Sequence, residues 1–162
     1  MIDYQQERLT PDEYLAFLTR CDLNFQYPLE DFLERIETLL KNTTLTLTAR
    51  NDEGQLIGAA MGLTDFAYYL LVTDLGVDRA YVKQGIGKEL LTRIHEAAGG
   101  KGRICVFLDA YDDAIGFYQN YGMQHSESLM YYDKAPWTRF TLTAEKLAEL
   151  KAEQEGRDAD GR

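Results

Sequence analysis

Hydrophobic positions along this chain change period several times, and each change marks an element. In "LTPDEYLAFLTR" a helix opens, with Thr10 as N-cap, Pro11 in the first helical position and Glu13 placed to close a capping box. Within "PLEDFLERIETLLK", Leu29, Leu33, Ile36 and Leu40 recur at helical spacing while Glu and Arg fill the other side, which predicts a second helix. The period then drops to two. "TTLTLTAR" alternates Leu45 and Leu47 with threonines as a half-buried strand, and "NDEG" turns it into "QLIGAAMGL" to make a hairpin. "FAYYLLVTDLGV" is too continuously apolar for an exposed edge and reads as a central strand. The two helices are expected to precede the sheet.

From Ile86 onward the helical period returns, with Ile86, Leu90, Leu91, Ile94, Ala97 and Ala98 on one arc and Lys88, Glu89, Arg93 and Glu96 opposite. Gly99 and Gly100 stop it. "RICVFLDA" reads as a buried parallel strand, "DDAIGFYQNYG" as a short helix ended by Gly122, and "SESLMYY" as a further strand. After the aromatic-rich "YYDKAPWTRF", residues 143–155 have strong helix formers but only Leu147 and Leu150 as an apolar stripe, so a peripheral helix is expected. Residues 156–162 have nothing to bury and are expected to be disordered. The whole predicts one mixed α/β domain over residues 1–142, with the peripheral helix appended.

Composition narrows the function classes. A chain of 162 residues with 45% hydrophobic and 12% aromatic content can bury a substantial core, which excludes a disordered reading for most of it. Net charge is −10 and no Lys/Arg cluster supplies a basic face, which argues against nucleic-acid binding. Cys21 and Cys105 make no framework and are expected to be free thiols in a reducing compartment, Cys105 buried within its strand. The N-terminus shows no basic region followed by an apolar stretch, and the longest apolar run, residues 66–72, is too short to span a bilayer. A cytoplasmic protein without membrane association is the expectation.

The chemistry concentrates in "LGVDRAYVKQGIGKELL", a strand, a loop and a helix start joined by Gly85 and Gly87. Glycines there admit a ligand close to the backbone, and the unpaired N–H groups of a first helical turn hold phosphate oxygens without cationic side chains. A ligand-free tight turn fits the same letters. The loop is not a Walker sequence, and Leu90 stands where a dinucleotide fingerprint needs its third glycine. His95, expected to be solvated at a helix edge, and His125 share no ligand spacing with a cysteine or carboxylate, so no metal site is expected. No G-x-S-x-G elbow is present, Ser126 and Ser128 being the only serines.

Val82-Lys83-Gln84-Gly85-Ile86-Gly87 resembles the R/Q-x-x-G-x-G/A loop of the GCN5-related N-acetyltransferase superfamily, with Val82 in place of the usual Arg or Gln. Downstream, "LDAYDDAIGFYQNYGM" resembles that superfamily's later block through Ala114, Phe117, Tyr118 and Gly122, with Tyr111 where many members carry Asn. The resemblance covers about residues 45–132 and implies a mixed sheet with helices on both faces, its fourth and fifth strands splayed around acetyl-coenzyme A. It implies that Leu75 and Val77 pair with the pantetheine arm, that residues 83–88 (Lys83, Gln84, Gly85, Ile86, Gly87, Lys88) cradle the pyrophosphate, and that Val82 and Tyr111 complete the cofactor site.

Acetyl transfer to an amine needs a neutral nucleophile and a proton for the departing thiolate. The resemblance makes Tyr118 the acid, although its helical face shared with Ala114, Phe117 and Tyr121 suits packing equally. Asp74 is the candidate base, or else an anchor for a cationic acceptor, with Asp65 as a substitute. Phe25, Tyr27, Asp65 and Asp109 are expected on the acceptor side, where the substrate is a small-molecule or peptide amine; a homodimer stays open. The competing reading is a catalytically silent acyl-coenzyme A-binding or regulatory module, favoured by Val82 and Tyr111. A plain nucleotide-binding domain is a third.

Overall fold

The computed structural model describes residues 1–132 and 137–161. Among them, five strands lie across one sheet in chain order: β1 (Asp3–Gln6), β2 (Leu45–Arg50), β3 (Leu56–Thr64), β4 (Tyr69–Val77) and β5 (Cys105–Phe107). The first four pair antiparallel and β5 joins β4 in parallel. β1 has no sequence signal. Its mostly exposed residues pair with Arg50 to Leu47, only Tyr4 packing on the core, so the sheet begins before the first helix rather than after the second.

Helices cover both faces. α1 (Pro11–Leu18) and α2 (Phe32–Asn42) bury Tyr14, Phe17, Leu18, Phe32, Ile36 and Leu40 against Leu56, Ala59 and Met61 of β3. On the other face, α3 (Ile86–Ala98) buries Ile86, Leu90, Leu91 and Ile94 against β2 and β4, and α4 (Ile115–Tyr121) adds Tyr118 and Tyr121 at the margin. Gly58 of β3 lets α3 approach, since a Cβ there would lie 2.9 Å from Leu90. β2 is consequently buried on both faces, Thr46 and Thr48 included, and is not the half-buried strand its alternation predicts.

Local signals place most helix ends. Thr10 caps α1, its hydroxyl accepting from the Glu13 N–H at 3.3 Å. The reciprocal half of the capping box does not form, because the Glu13 carboxylate pairs with Arg50 at 2.7 Å instead. Gly85 (φ +83°) and Gly99 (φ +137°) bound α3, where a side chain would strain the backbone.

Four further expectations fail. Residues 126–132 form no strand, for β5 offers only three residues of ladder before the chain turns away. Cys105 is exposed, because β5 shows both faces near the sheet edge. His95 is buried, its Nε2 donating to the Ile104 carbonyl at 3.1 Å and its Nδ1 lying 3.4 Å from the Tyr121 hydroxyl. The last helix, α5 (Ala144–Asp160), extends through most of the expected tail, docking Leu147 and Leu150 on the α1/α2 core; Arg162 lies outside the described residues. No helix among the described residues is long and apolar enough to cross a membrane.

One irregularity governs the site. Met61 pairs with Asp74 but Gly62 with Val72, so Thr73 is an extra residue in β4. A bulge of one residue reverses the parity of everything beyond it. Leu70 and Val72 point into the α3 core, yet Asp74 meets Tyr14 of α1 and Gly76 lies against Leu23 and Cys21 on the opposite face.

Candidate active site

β4 and β5 remain paired only over Tyr69 to Leu71 and Cys105 to Phe107. Past that point they part, and the gap is a cleft of about 300 Å³. One wall is the β4 segment from Val72 to Val77, left without a strand partner on this side; the other holds Leu108, Asp109, Ala110 and Tyr111. Phe25, Gln26, Val82 and Tyr118 are among the other lining residues. A second cavity of similar size shares Leu108, Asp109, Ala110 and Tyr118 and continues toward Met123 and Leu129.

At one end of the cleft stands the start of α3. Asp78 caps a short 3-10 turn (Arg79–Tyr81), after which Val82 is extended and Lys83 (φ +63°) and Gly85 (φ +83°) adopt left-handed backbone. The first α3 amide to find a main-chain acceptor is that of Glu89, on the Gly85 carbonyl at 3.1 Å. Those of Ile86, Gly87 and Lys88 therefore form the positive end of the helix. Lys83, Gln84, Gly85 and Lys88 are exposed, whereas the Ile86 side chain is buried in the core, so Ile86 has only its amide to offer an anion. Gly87 faces Phe117 of α4 and Val77 of β4.

Deeper in, Asp74 is 2% exposed and its two oxygens differ. Oδ1 accepts from the Tyr14 hydroxyl at 3.0 Å, from the Gln26 amide at 2.8 Å and from the Tyr27 hydroxyl. Oδ2 is buried with no hydrogen-bond partner among the described residues. The two phenol oxygens lie 3.0 Å apart, each with its proton directed at Oδ1. Burial, reinforced by the adjacent carboxylate, raises both phenols well above their ordinary range, so they stay protonated and donate. A buried oxygen without a donor is costly. A hydrogen-bond donor is what it lacks, and an ammonium or amine N–H is one group that would complete it.

Tyr118 lies on the opposite wall, its ring edge-on to Phe117 at 5.0 Å between centroids. Its hydroxyl makes no hydrogen bond to a described residue, and burial pushes its pKa up to about 12. It holds its proton throughout the neutral range.

The fold thus brings Asp74, Leu75, Val77, Val82, Asp109, Tyr111, Tyr118 and Phe25 to one cleft, with the Phe25 and Tyr111 rings 5.1 Å apart across its mouth. Tyr27 stands behind Asp74 and borders a separate cavity with Phe32 and Trp137, so it contacts the carboxylate rather than the cleft. Asp65 does not join the site. It sits in the turn before β4, where one carboxylate oxygen accepts from the N–H groups of Ala67, Tyr68 and Tyr69, which hold its pKa low. Sequence reasoning missed Tyr14 and Gln26. A tyrosine on the apolar face of α1 signals a buried hydroxyl in need of a partner, but that partner is sixty residues away. Among the described residues no group of three or more His, Cys, Asp or Glu is placed to hold a metal ion.

A model described as the acetyltransferase (GNAT) family matches residues 11–123. The chain is 34% identical over 77 residues to the chloroplastic GCN5-related N-acetyltransferase 2 of Arabidopsis thaliana, a match spanning 46% of this chain and 29% of that protein. It thus spans under a third of that relative's length. A GNAT-family acetyltransferase from Streptococcus pneumoniae superposes with a TM-score of 0.64 at 16% identity, over 83% of this chain and 100% of that one. An aminoglycoside N-acetyltransferase solved in complex with coenzyme A gives 0.62 at 18% identity, over 83% and 95%. These two likenesses establish the fold.

Proposed function

Since the chain belongs to the acetyltransferase (GNAT) family, we propose that it is an N-acetyltransferase moving an acetyl group from acetyl-coenzyme A directly to a primary amine of a small molecule or peptide. The observation that carries this reading is the unpartnered Oδ2 of Asp74, a residue lining a cleft whose opposite wall presents a protonated Tyr118. When bound, acetyl-coenzyme A supplies an acetyl group activated as a thioester. The chain's own groups fit it. The main chain of Leu75 and Val77, free of a strand partner toward β5, can pair with an amide-bearing arm, and the α3 amides of Ile86, Gly87 and Lys88 can hold phosphate oxygens.

Asp74 binds the acceptor nitrogen at Oδ2 and takes up the proton that an ammonium must lose to become a nucleophile. The three donors on Oδ1 hold the carboxylate in place and leave Oδ2 free for the acceptor. Tyr118 holds a proton at its hydroxyl oxygen for the departing thiolate. Lys83 and Lys88 add positive charge at the phosphate end, in a chain whose net charge of −10 otherwise favours cationic acceptors. Two free cysteines suit a reducing, cytoplasmic setting.

The test is an acetyl-coenzyme A-dependent screen of amines by mass spectrometry, including peptides and aminoglycosides. Acetylated product lost in Asp74→Asn is the expected result. Cofactor binding without turnover on any amine would instead establish the silent module.

A further inference from the structure

The face of the sheet that carries Asp74 continues beyond the site as an uncovered apolar surface. Leu63 is two residues past Met61 on β3 and pairs with Leu71 of β4; Phe107 pairs with Leu71 from the other side. Paired residues share a face, and residues two apart along a strand do too. Tyr69 joins them, its ring 5.8 Å from that of Phe107. Since Leu70 and Val72 point into the α3 core, Leu63, Tyr69, Leu71 and Phe107 lie on the side of α1 and α2. That is the side to which the Thr73 bulge turns Asp74.

Nothing described covers this stripe. Leu63 and Leu71 are each 44% exposed, Tyr69 55% and Phe107 40%, far more than side chains on an inner sheet face need be. None is charged. Half-exposed aromatics and leucines in a row make a continuous apolar patch, of the kind that monomers expose where something binds. What lies at its end decides what binds. Leu71 is three residues from Asp74, about 7–10 Å along the strand. The stripe therefore runs toward a buried carboxylate oxygen that lacks a donor, an arrangement complementary to a molecule with one cationic end and an uncharged body.

We propose that this face carries the body of the acceptor, so that the substrate is a primary amine borne on an aromatic or long aliphatic group, its nitrogen at Asp74 Oδ2 and its apolar part along Leu71, Leu63, Tyr69 and Phe107. The assignment rests on the acetyltransferase reading above and narrows it. A second ammonium along the body is disfavoured, because Leu71, Leu63, Tyr69 and Phe107 offer it no charge; the carboxylate of Asp65, beyond Tyr69, is already taken up by the N–H groups of its turn. A peptide amine fits only where the residue bearing it is large and apolar.

The experiment compares linear amines from butylamine to octylamine with the diamines of the same lengths. Acetylation is followed as kcat/KM, and binding to the protein loaded with coenzyme A is followed by calorimetry. Each added methylene is expected to raise kcat/KM and affinity about two- to threefold, somewhat below the value of a fully buried methylene. The diamines should not follow, and Leu71→Gln should flatten the monoamine slope; Tyr69→Gln, also at an exposed position, provides the same reading should that variant not fold. A flat series, or diamines bound more tightly than monoamines, would overturn the proposal. So would sedimentation showing a dimer that Leu71→Gln dissociates, since a second copy would then own the face. If no amine is acetylated, the acetyltransferase reading falls by itself; calorimetry still decides the stripe, a length-dependent affinity supporting it and a flat one removing it.

Discussion

Replacing Tyr27 with phenylalanine removes one hydroxyl from the group that pins Asp74 and leaves the ring, 6.3 Å from Phe32, in place. Oδ1 then keeps two donors, Tyr14 at 3.0 Å and Gln26 at 2.8 Å. A hydrogen bond to a charged acceptor is worth about 1.5–3 kcal/mol, and with two donors remaining the loss should fall near the lower end, about 1–2 kcal/mol. For a domain of this length that corresponds to a fall in Tm of about 2–8 °C. The assay is urea unfolding of the wild type, Tyr27→Phe, Asp74→Asn and the double variant. If the phenol acts through the carboxylate, the single losses exceed the double by at least about 0.5 kcal/mol. In kinetics, the same substitution should raise KM for the amine several-fold, because the carboxylate is less firmly held, while affinity for acetyl-coenzyme A stays as it was. Additivity of the two losses, or a drop in cofactor affinity equal to that for the amine, would refute the clamp.

Tyr118→Phe retains the edge-on packing with Phe117 and should lower the rate of the transfer step about tenfold or more, measured before steady state; a wild-type rate would leave Tyr118 a packing residue. Gly87→Val should weaken acetyl-coenzyme A binding in a folded protein: a Cβ there has ordinary room, 3.6 Å from Phe117, but the branches would crowd the amides at the α3 start, and calorimetry tests it. Stability should be level between pH 7 and 9 and fall above that. Burial raises Cys21 from 9.0 to about 12 and Tyr118 from 10.0 to about 12, so the unfolded chain loses those protons first. Each group then contributes a slope of up to about 1.4 kcal/mol per pH unit until its folded value is passed, and a denaturation midpoint unchanged up to pH 11 would contradict their burial.

Much of this protein was legible in its sequence wherever the deciding physics is local. Ile86 to Ala98 is a helix because its apolar arc recurs at helical spacing between glycines that accept left-handed backbone, and both ends fall where those residues say. The Thr10 cap and the Gly122 stop are decided by neighbours within one turn. The loop around Gly85 and Gly87 and the helix carrying Tyr118 were recognisable for the same reason, each being a short contiguous motif. Tertiary structure alone decided the rest. Asp74 lies on the face covered by α1 and α2 because of a one-residue bulge at Thr73, and a bulge depends on how two strands pair rather than on the letters of either. Its partners Tyr14, Gln26 and Tyr27 arrive from 47 to 60 residues away. His95 is buried and Cys105 exposed, against their patterns, because a helix edge meets α4 in one case and a three-residue strand leaves the ladder in the other. Periodicity gives each segment its apolar face, whereas register and long-range packing settle what that face meets and which polar atom is left without a donor.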